Sequence, residues 1–126
     1  MWDDRCEMPQ ITVEYSESLA VWFDRRGFAL ALHPAAADLI GSALPDFKTR
    51  FHAIGEAVIG SGEAGEAMVH VDLAILPGRD PEIKARLGDL ALTVLCDHIK
   101  PGAGLNIQAT VEVRDIASYH KRVLAP

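Results

Sequence analysis

A strand that runs into a capped helix and out again, over residues 68–113, constrains this chain more than any other feature. Residues 68–76 alternate, with Val69, Val71, Leu73 and Ile75 on one face, which is the period of a half-buried strand. Pro77-Gly78-Arg79-Asp80-Pro81 then breaks the pattern. Asp80 is placed to cap a helix. Pro81 suits the first helical position, where no backbone donor is needed, and Glu82 favours the positive helix end. Ile83, Leu87, Leu90, Val94 and Leu95 recur at helical spacing, and Pro101-Gly102 is expected to end the run. Residues 106–113 alternate again and bury Ile107, Ala109, Val111 and Val113. A strand, a helix and a strand in that order form a right-handed crossover, because only that hand packs the helix back onto a twisted sheet. The two strands are then parallel.

The first half of the chain repeats this grammar. Residues 11–15 read as a strand, and residues 19–41 as helical, with Leu19, Trp22, Phe23, Leu30, Leu32, Leu39 and Ile40 as core candidates. Pro34 is expected to kink or restart this helix, since it lacks a backbone donor. Gly41-Ser42 and Pro45-Asp46 close it. A second strand lies within residues 47–59, placing Lys48, Arg50 and His52 on one face and Thr49, Phe51 and Ala53 on the other. The order is β-α-β-β-α-β, an α+β chain whose two β-α-β halves form one four-stranded sheet with two helices on one face. Thr12-Val13-Glu14-Tyr15 faintly echoes His70-Val71-Asp72-Leu73. Ferredoxin-like folds share this element order, so pattern alone leaves both arrangements open. The tail, residues 118–126, is expected to form a short element that packs on a neighbouring subunit.

At 126 residues the chain makes one domain. Its net charge of −6 argues against nucleic acid as a partner, because phosphate binding needs a basic face. Such a chain binds an anion only through a local cationic pocket. Cys6 and Cys96 make no disulfide framework, which suits a reducing cytosol. The N-terminus is acidic and lacks a signal-peptide core, and charges such as Asp24-Arg25-Arg26 interrupt every apolar stretch, so no membrane association is expected.

Several motifs resolve to plain readings. Gly60-Ser61-Gly62-Glu63-Ala64-Gly65 matches a dinucleotide-binding glycine pattern, but that pattern needs a helix to follow and a strand follows here. A flexible hairpin turn is the better reading. His33, His52, His70, His98 and His120 are scattered without zinc-site spacing, so no metal is expected. His70 and Asp72 share a strand face, a common arrangement. Ser61 lies outside any nucleophile elbow. Arg79 stands out, because it sits between a strand end and a helix start. There the helix field favours an anion and a guanidinium can grip a carboxylate with two hydrogen bonds; a solvated loop arginine is the alternative.

Met8-Pro9 precedes the first strand. A proline that begins a mature chain carries a secondary amine, which accepts a proton; within a chain its nitrogen is an amide. Met8-Pro9-Gln10-Ile11-Thr12-Val13-Glu14-Tyr15-Ser16, Phe47-Lys48-Thr49-Arg50-Phe51-His52, and Val69-His70-Val71-Asp72-Leu73 with Pro77-Gly78-Arg79 together resemble the 5-carboxymethyl-2-hydroxymuconate isomerases of the tautomerase superfamily. The resemblance runs from Pro9 nearly to the C-terminus. It implies a homotrimer of tautomerase-like subunits over residues 9–126, with an active site at each subunit junction. Residues 1–8 are then a prefix outside the domain, with Met8 as the expected start. It also implies Pro9 as the catalytic base and Arg79 as a carboxylate-binding residue. Lys48 stands where the family has a second arginine, and Arg50, on the same strand face, is placed to compensate. The implied substrate is a small anionic dienol from aromatic catabolism, ketonised without metal or organic cofactor. A non-catalytic oligomeric binding module with a blocked proline, and a tautomerase of another small enol acid, are the alternatives.

Overall fold

The computed structural model describes residues 9–101 and 104–126. The expectation for the prefix, residues 1–8, lies outside them, as does Gly102.

The elements run β1 (Gln10–Ser16), α1 (Arg25–Ile40), β2 (Lys48–Ile54), β3 (Glu66–Ile75), α2 (Pro81–Asp97) and β4 (Asn106–Asp115). The sheet order is β2-β1-β3-β4. β1 pairs parallel with β2, and β3 parallel with β4, while β1 and β3 join the halves antiparallel. Each helix thus connects two neighbouring strands. A split β-α-β unit would insert a strand between crossover partners, so the ferredoxin-like arrangement left open by the sequence is excluded.

Both helices cover one face. Phe28, Leu32, Ala36 and Ile40 from α1, spaced four apart, and Leu87, Ala91 and Leu95 from α2 are buried with Ile11, Val13, Val69, Val71, Leu73 and Ile75 of the central strands. The alternation places Thr12, Arg50, Asp72 and Glu112 in one register row across the other face, which no helix among the described residues covers. On that face Arg114 donates from Nε to both Asp72 oxygens at 3.0 and 3.1 Å, and this hydrogen bond, with the Asp72 charge, raises the arginine's pKa further.

Several expectations need correction. The first helix starts at Arg25, not near residue 19. Leu19 closes a separate 3-10 turn, Glu17–Leu19, and Asp24 caps α1 by accepting the Gly27 N–H at 3.0 Å. Gly27 permits this approach, since a Cβ there would lie 2.1 Å from Asp24 Oδ2. Leu30 is 57% exposed and is no core residue; two positions beyond Phe28, it points away from the sheet. Pro34 does not interrupt α1. It lies on the exposed side, where the carbonyl that loses its donor belongs to exposed Leu30 and meets water.

α2 ends at Asp97, before Pro101. Beyond it the chain pairs with the segment ahead of α1: Asp24 N–H donates to His98 O and Lys100 N–H to Trp22 O, each at 2.8 Å. The tail forms no helix or strand; within it Tyr119 contacts Gln10 and Lys121 contacts Asp46. The glycine-rich segment leads into β3, with Gly60, Gly62 and Gly65 at positive φ as in a turn, but β1 lies between β2 and β3, so the segment is not the expected hairpin. Among the described residues no helix is long and apolar enough to cross a membrane.

Candidate active site

Register places the candidate residues at one end of the sheet. Gln10 pairs with Lys48 and with Ala74, and Ala74 with Arg114, so β1 and β2 begin where β3 and β4 end. The C-terminus of α1 and the N-terminus of α2 reach the same end, because each helix runs antiparallel to the strand before it. Pro9 leads β1 into this end and is buried.

Three cations predicted from the sequence lie at this end, Lys48 and Arg50 on the open face and Arg79 against the C-terminus of α1, each held by the fold. Lys48, at the start of β2, donates from Nζ to the Asp46 carbonyl at 3.0 Å. Arg50, two residues on and on the same face, donates from Nη1 to Gln10 Oε1 at 2.7 Å and from Nη2 to Thr12 Oγ1 at 3.4 Å. The short Gln10 contact is what a charged donor on a neutral acceptor gives. Arg79 comes from the loop between β3 and α2. Its Nε and Nη2 donate to Ile40 O at 3.3 and 3.1 Å, Nη2 also to Ser42 Oγ at 3.2 Å, and Nη1 to Leu76 O at 3.3 Å. A guanidinium against the last carbonyl of α1 complements the negative end of that helix. The arginine read from sequence as a carboxylate ligand thus ties the α1 terminus to the residue that follows β3.

The structure adds residues that the sequence reading missed. Asp46 is buried at 7% exposure, within the 3-10 turn Leu44–Asp46, and accepts Lys121 Nζ on Oδ1 at 2.5 Å. Tyr119 places its hydroxyl 3.1 Å from Gln10 Nε2. Gln10 could have been found, since strand alternation puts it beside Lys48 on the open face. Tyr119 and Lys121 could not, because an irregular tail has no periodicity to read.

The histidines do not gather here. His33, on α1, faces β2, 2.7 Å from Thr49 Oγ1 and tilted against Phe47, and burial lowers its pKa from 6.5. His52 is exposed on the open face, in the row of Glu14 and His70. His70 contacts Thr110 at 2.7 Å, His98 caps α2 through Val94 O at 2.8 Å, and His120 contacts Ser118 at 3.0 Å. Among the described residues no group of three His, Cys, Asp or Glu side chains could hold a metal ion. Lys48, Arg50 and Arg79 thus bring three cationic side chains to one end of the sheet of an acidic chain.

No protein-family model matches the chain, and no curated protein does. Solved structures do match. A 5-carboxymethyl-2-hydroxymuconate isomerase from Deinococcus radiodurans R1 superposes with a TM-score of 0.72 at 22% identity, over 96% of this chain and 95% of that one. A 5-carboxymethyl-2-hydroxymuconate delta-isomerase gives 0.80 at 14% identity, over 96% and 91%. A fused wild-type 4-OT symmetric trimer gives 0.68 at 26% identity, over 86% and 85%. The chain has the fold of these proteins, the fold its sequence resemblance implied.

Proposed function

We propose that this chain is a cofactor-independent tautomerase that ketonises 5-carboxymethyl-2-hydroxymuconate or a similar dienol dicarboxylate, with the ring nitrogen of Pro9 carrying the proton. The observation that carries this reading is that Lys48, Arg50 and Arg79 lie at the sheet end that Pro9 leads. Solved structures of this fold include isomerases of that dienol, which supports the substrate class.

The chemistry needs one group that accepts a proton from the 2-hydroxyl and returns a proton to a distant carbon of the conjugated chain. Such a group works best with a pKa near the working pH. A secondary amine meets this need when burial and nearby cations destabilise its protonated form. In the proposal the mature protein begins at Pro9, so that the nitrogen is an amine. Arg79 and Lys48 attract the substrate carboxylates by charge, since the Arg79 Nε and Nη2 donors already serve Ile40 O and Ser42 Oγ. Arg50 restores the planar donor that Lys48 lacks. Conjugation delocalises the developing charge, so no metal or organic cofactor enters the mechanism.

A homotrimer completes the site with apolar walls from a neighbouring subunit. The symmetric trimer among the matching structures supports that assembly. Cys96, a free and exposed thiol, suits a reducing cytosol.

A second reading rests on the burial of Pro9. A buried proline at a strand start also serves structure alone, and a chain with its nitrogen acylated would be an oligomeric binding module. Pro9→Ala separates the two. The enzyme reading expects a folded variant whose kcat falls by roughly a hundredfold or more, the scale of a lost acid–base group. An unchanged rate removes Pro9 from the chemistry.

A further inference from the structure

We propose that the C-terminal tail is a positioning strap for the two β2 cations, acting through Tyr119 on Arg50 and through Lys121 on Lys48. The tail is anchored at the end of β3, where Ile116 N–H donates to Ile75 O at 2.7 Å. From there it crosses the sheet end and touches it at two places.

At the first, Arg50 has only donors, so the Gln10 side-chain oxygen must face it, as it does at 2.7 Å. That orientation leaves Gln10 Nε2 as a donor, and the Tyr119 hydroxyl accepts from it at 3.1 Å. Arg50 thus sets which end of the Gln10 amide it meets, and Tyr119 holds that amide in place by its other end. At the second, Lys121 Nζ holds the buried Asp46 carboxylate, and the carbonyl of the same residue receives Lys48 Nζ at 3.0 Å. Each β2 cation is thus held by a residue that the tail itself holds. The tail touches no substrate in this account; Tyr119 and Lys121 are positioning residues. The part of the inference that concerns substrate rests on the tautomerase reading above.

The test uses the full-length protein with 15N-labelled arginine. The Arg50 Nη1–H resonance, the donor to Gln10, identified by its loss in Arg50→Lys, is followed in Tyr119→Phe, which removes a single hydroxyl. Its solvent exchange is expected to speed up by about three- to tenfold, the scale of one lost hydrogen bond. Steady-state kinetics on the dienol dicarboxylate should show KM rising by about the same factor, with kcat falling less. Lys121→Met, on the separate path through Asp46, should raise KM likewise without moving the Arg50 resonance. Leu124→Ala, an 86% exposed position in the same tail, should change neither.

Unchanged Arg50 exchange in Tyr119→Phe overturns the strap, whatever the activity. So does an active enzyme whose KM ignores both variants. A wild-type protein without tautomerase activity, whose Arg50 still responds to Tyr119→Phe, supports the strap and overturns the functional reading alone.

Discussion

Arg79 offers a sharp test, because the structure gives it a structural task beside its proposed role in binding. Arg79→Ala removes the donors to Ile40 O, Ser42 Oγ and Leu76 O. Each contact is 3.1 Å or longer, so the set counts as one charge-assisted interaction of about 1.5–3 kcal/mol and not as four. Loss of a cation from the α1 C-terminus adds about 0.3–1 kcal/mol. Water reaching the half-buried site returns part of this. Ser42, only 8% exposed, is less easily rescued. The expected loss is about 2 kcal/mol. Arg79→Lys keeps the charge and one hydrogen bond and should recover about half of it. Urea denaturation reads both variants: the midpoint should move and the slope should not, since the surface exposed on unfolding is unchanged. A loss below about 0.5 kcal/mol for Arg79→Ala, or a lysine variant no better than alanine, would refute the clamp. The KM of Arg79→Ala must then be measured where the variant is fully folded, so that weaker binding is not confused with a smaller folded fraction.

Other outcomes follow from the same coordinates. His33 has its pKa lowered by burial, so the unfolded chain takes up a proton near 6.5 while the folded chain resists it. Stability is therefore fully present above about pH 6.5 and falls as pH drops from there through the lowered folded value; in His33→Gln the pH–stability curve should be flatter across that window. Leu32→Ala should cost about 2–5 kcal/mol, as a fully buried position leaves a cavity, whereas Leu30→Ala on the solvent side of the same helix should stay within about 0.5 kcal/mol. Equal losses at the two positions, measured by denaturation, would contradict the assigned face of α1.

The parts of the fold legible in the sequence are those written in short-range chemistry. Asp80 and Pro81 start α2 where expected, and the Ile83 N–H reaches Asp80 Oδ1 at 2.9 Å. Alternation identified β1, β3 and β4 and put Lys48 and Arg50 on one face. The start of α1 was misread because Leu19, Trp22 and Phe23 extend an apolar pattern past the Asp24 cap, and hydrophobicity does not mark where a helix nucleates. Pro34 misled because the cost of a missing donor depends on whether the orphaned carbonyl faces water, which only the packed helix reveals. At the site the charges were legible and their partners were not. Arg79 meets Ile40 across 39 positions of sequence, and only the antiparallel joining of β1 to β3 brings them together. Asp46 meets Lys121 across 75, through a tail whose path no local rule sets.

The central claim is that the Pro9 nitrogen acts as a free amine. Its most direct test is the rate of dienol ketonisation by protein whose measured mass begins at Pro9, set against the same chain carrying residues 1–8. The account predicts turnover in the shorter form and a rate near the uncatalysed background in the longer one. Equal rates from both would contradict it, since an amide nitrogen cannot carry the proton.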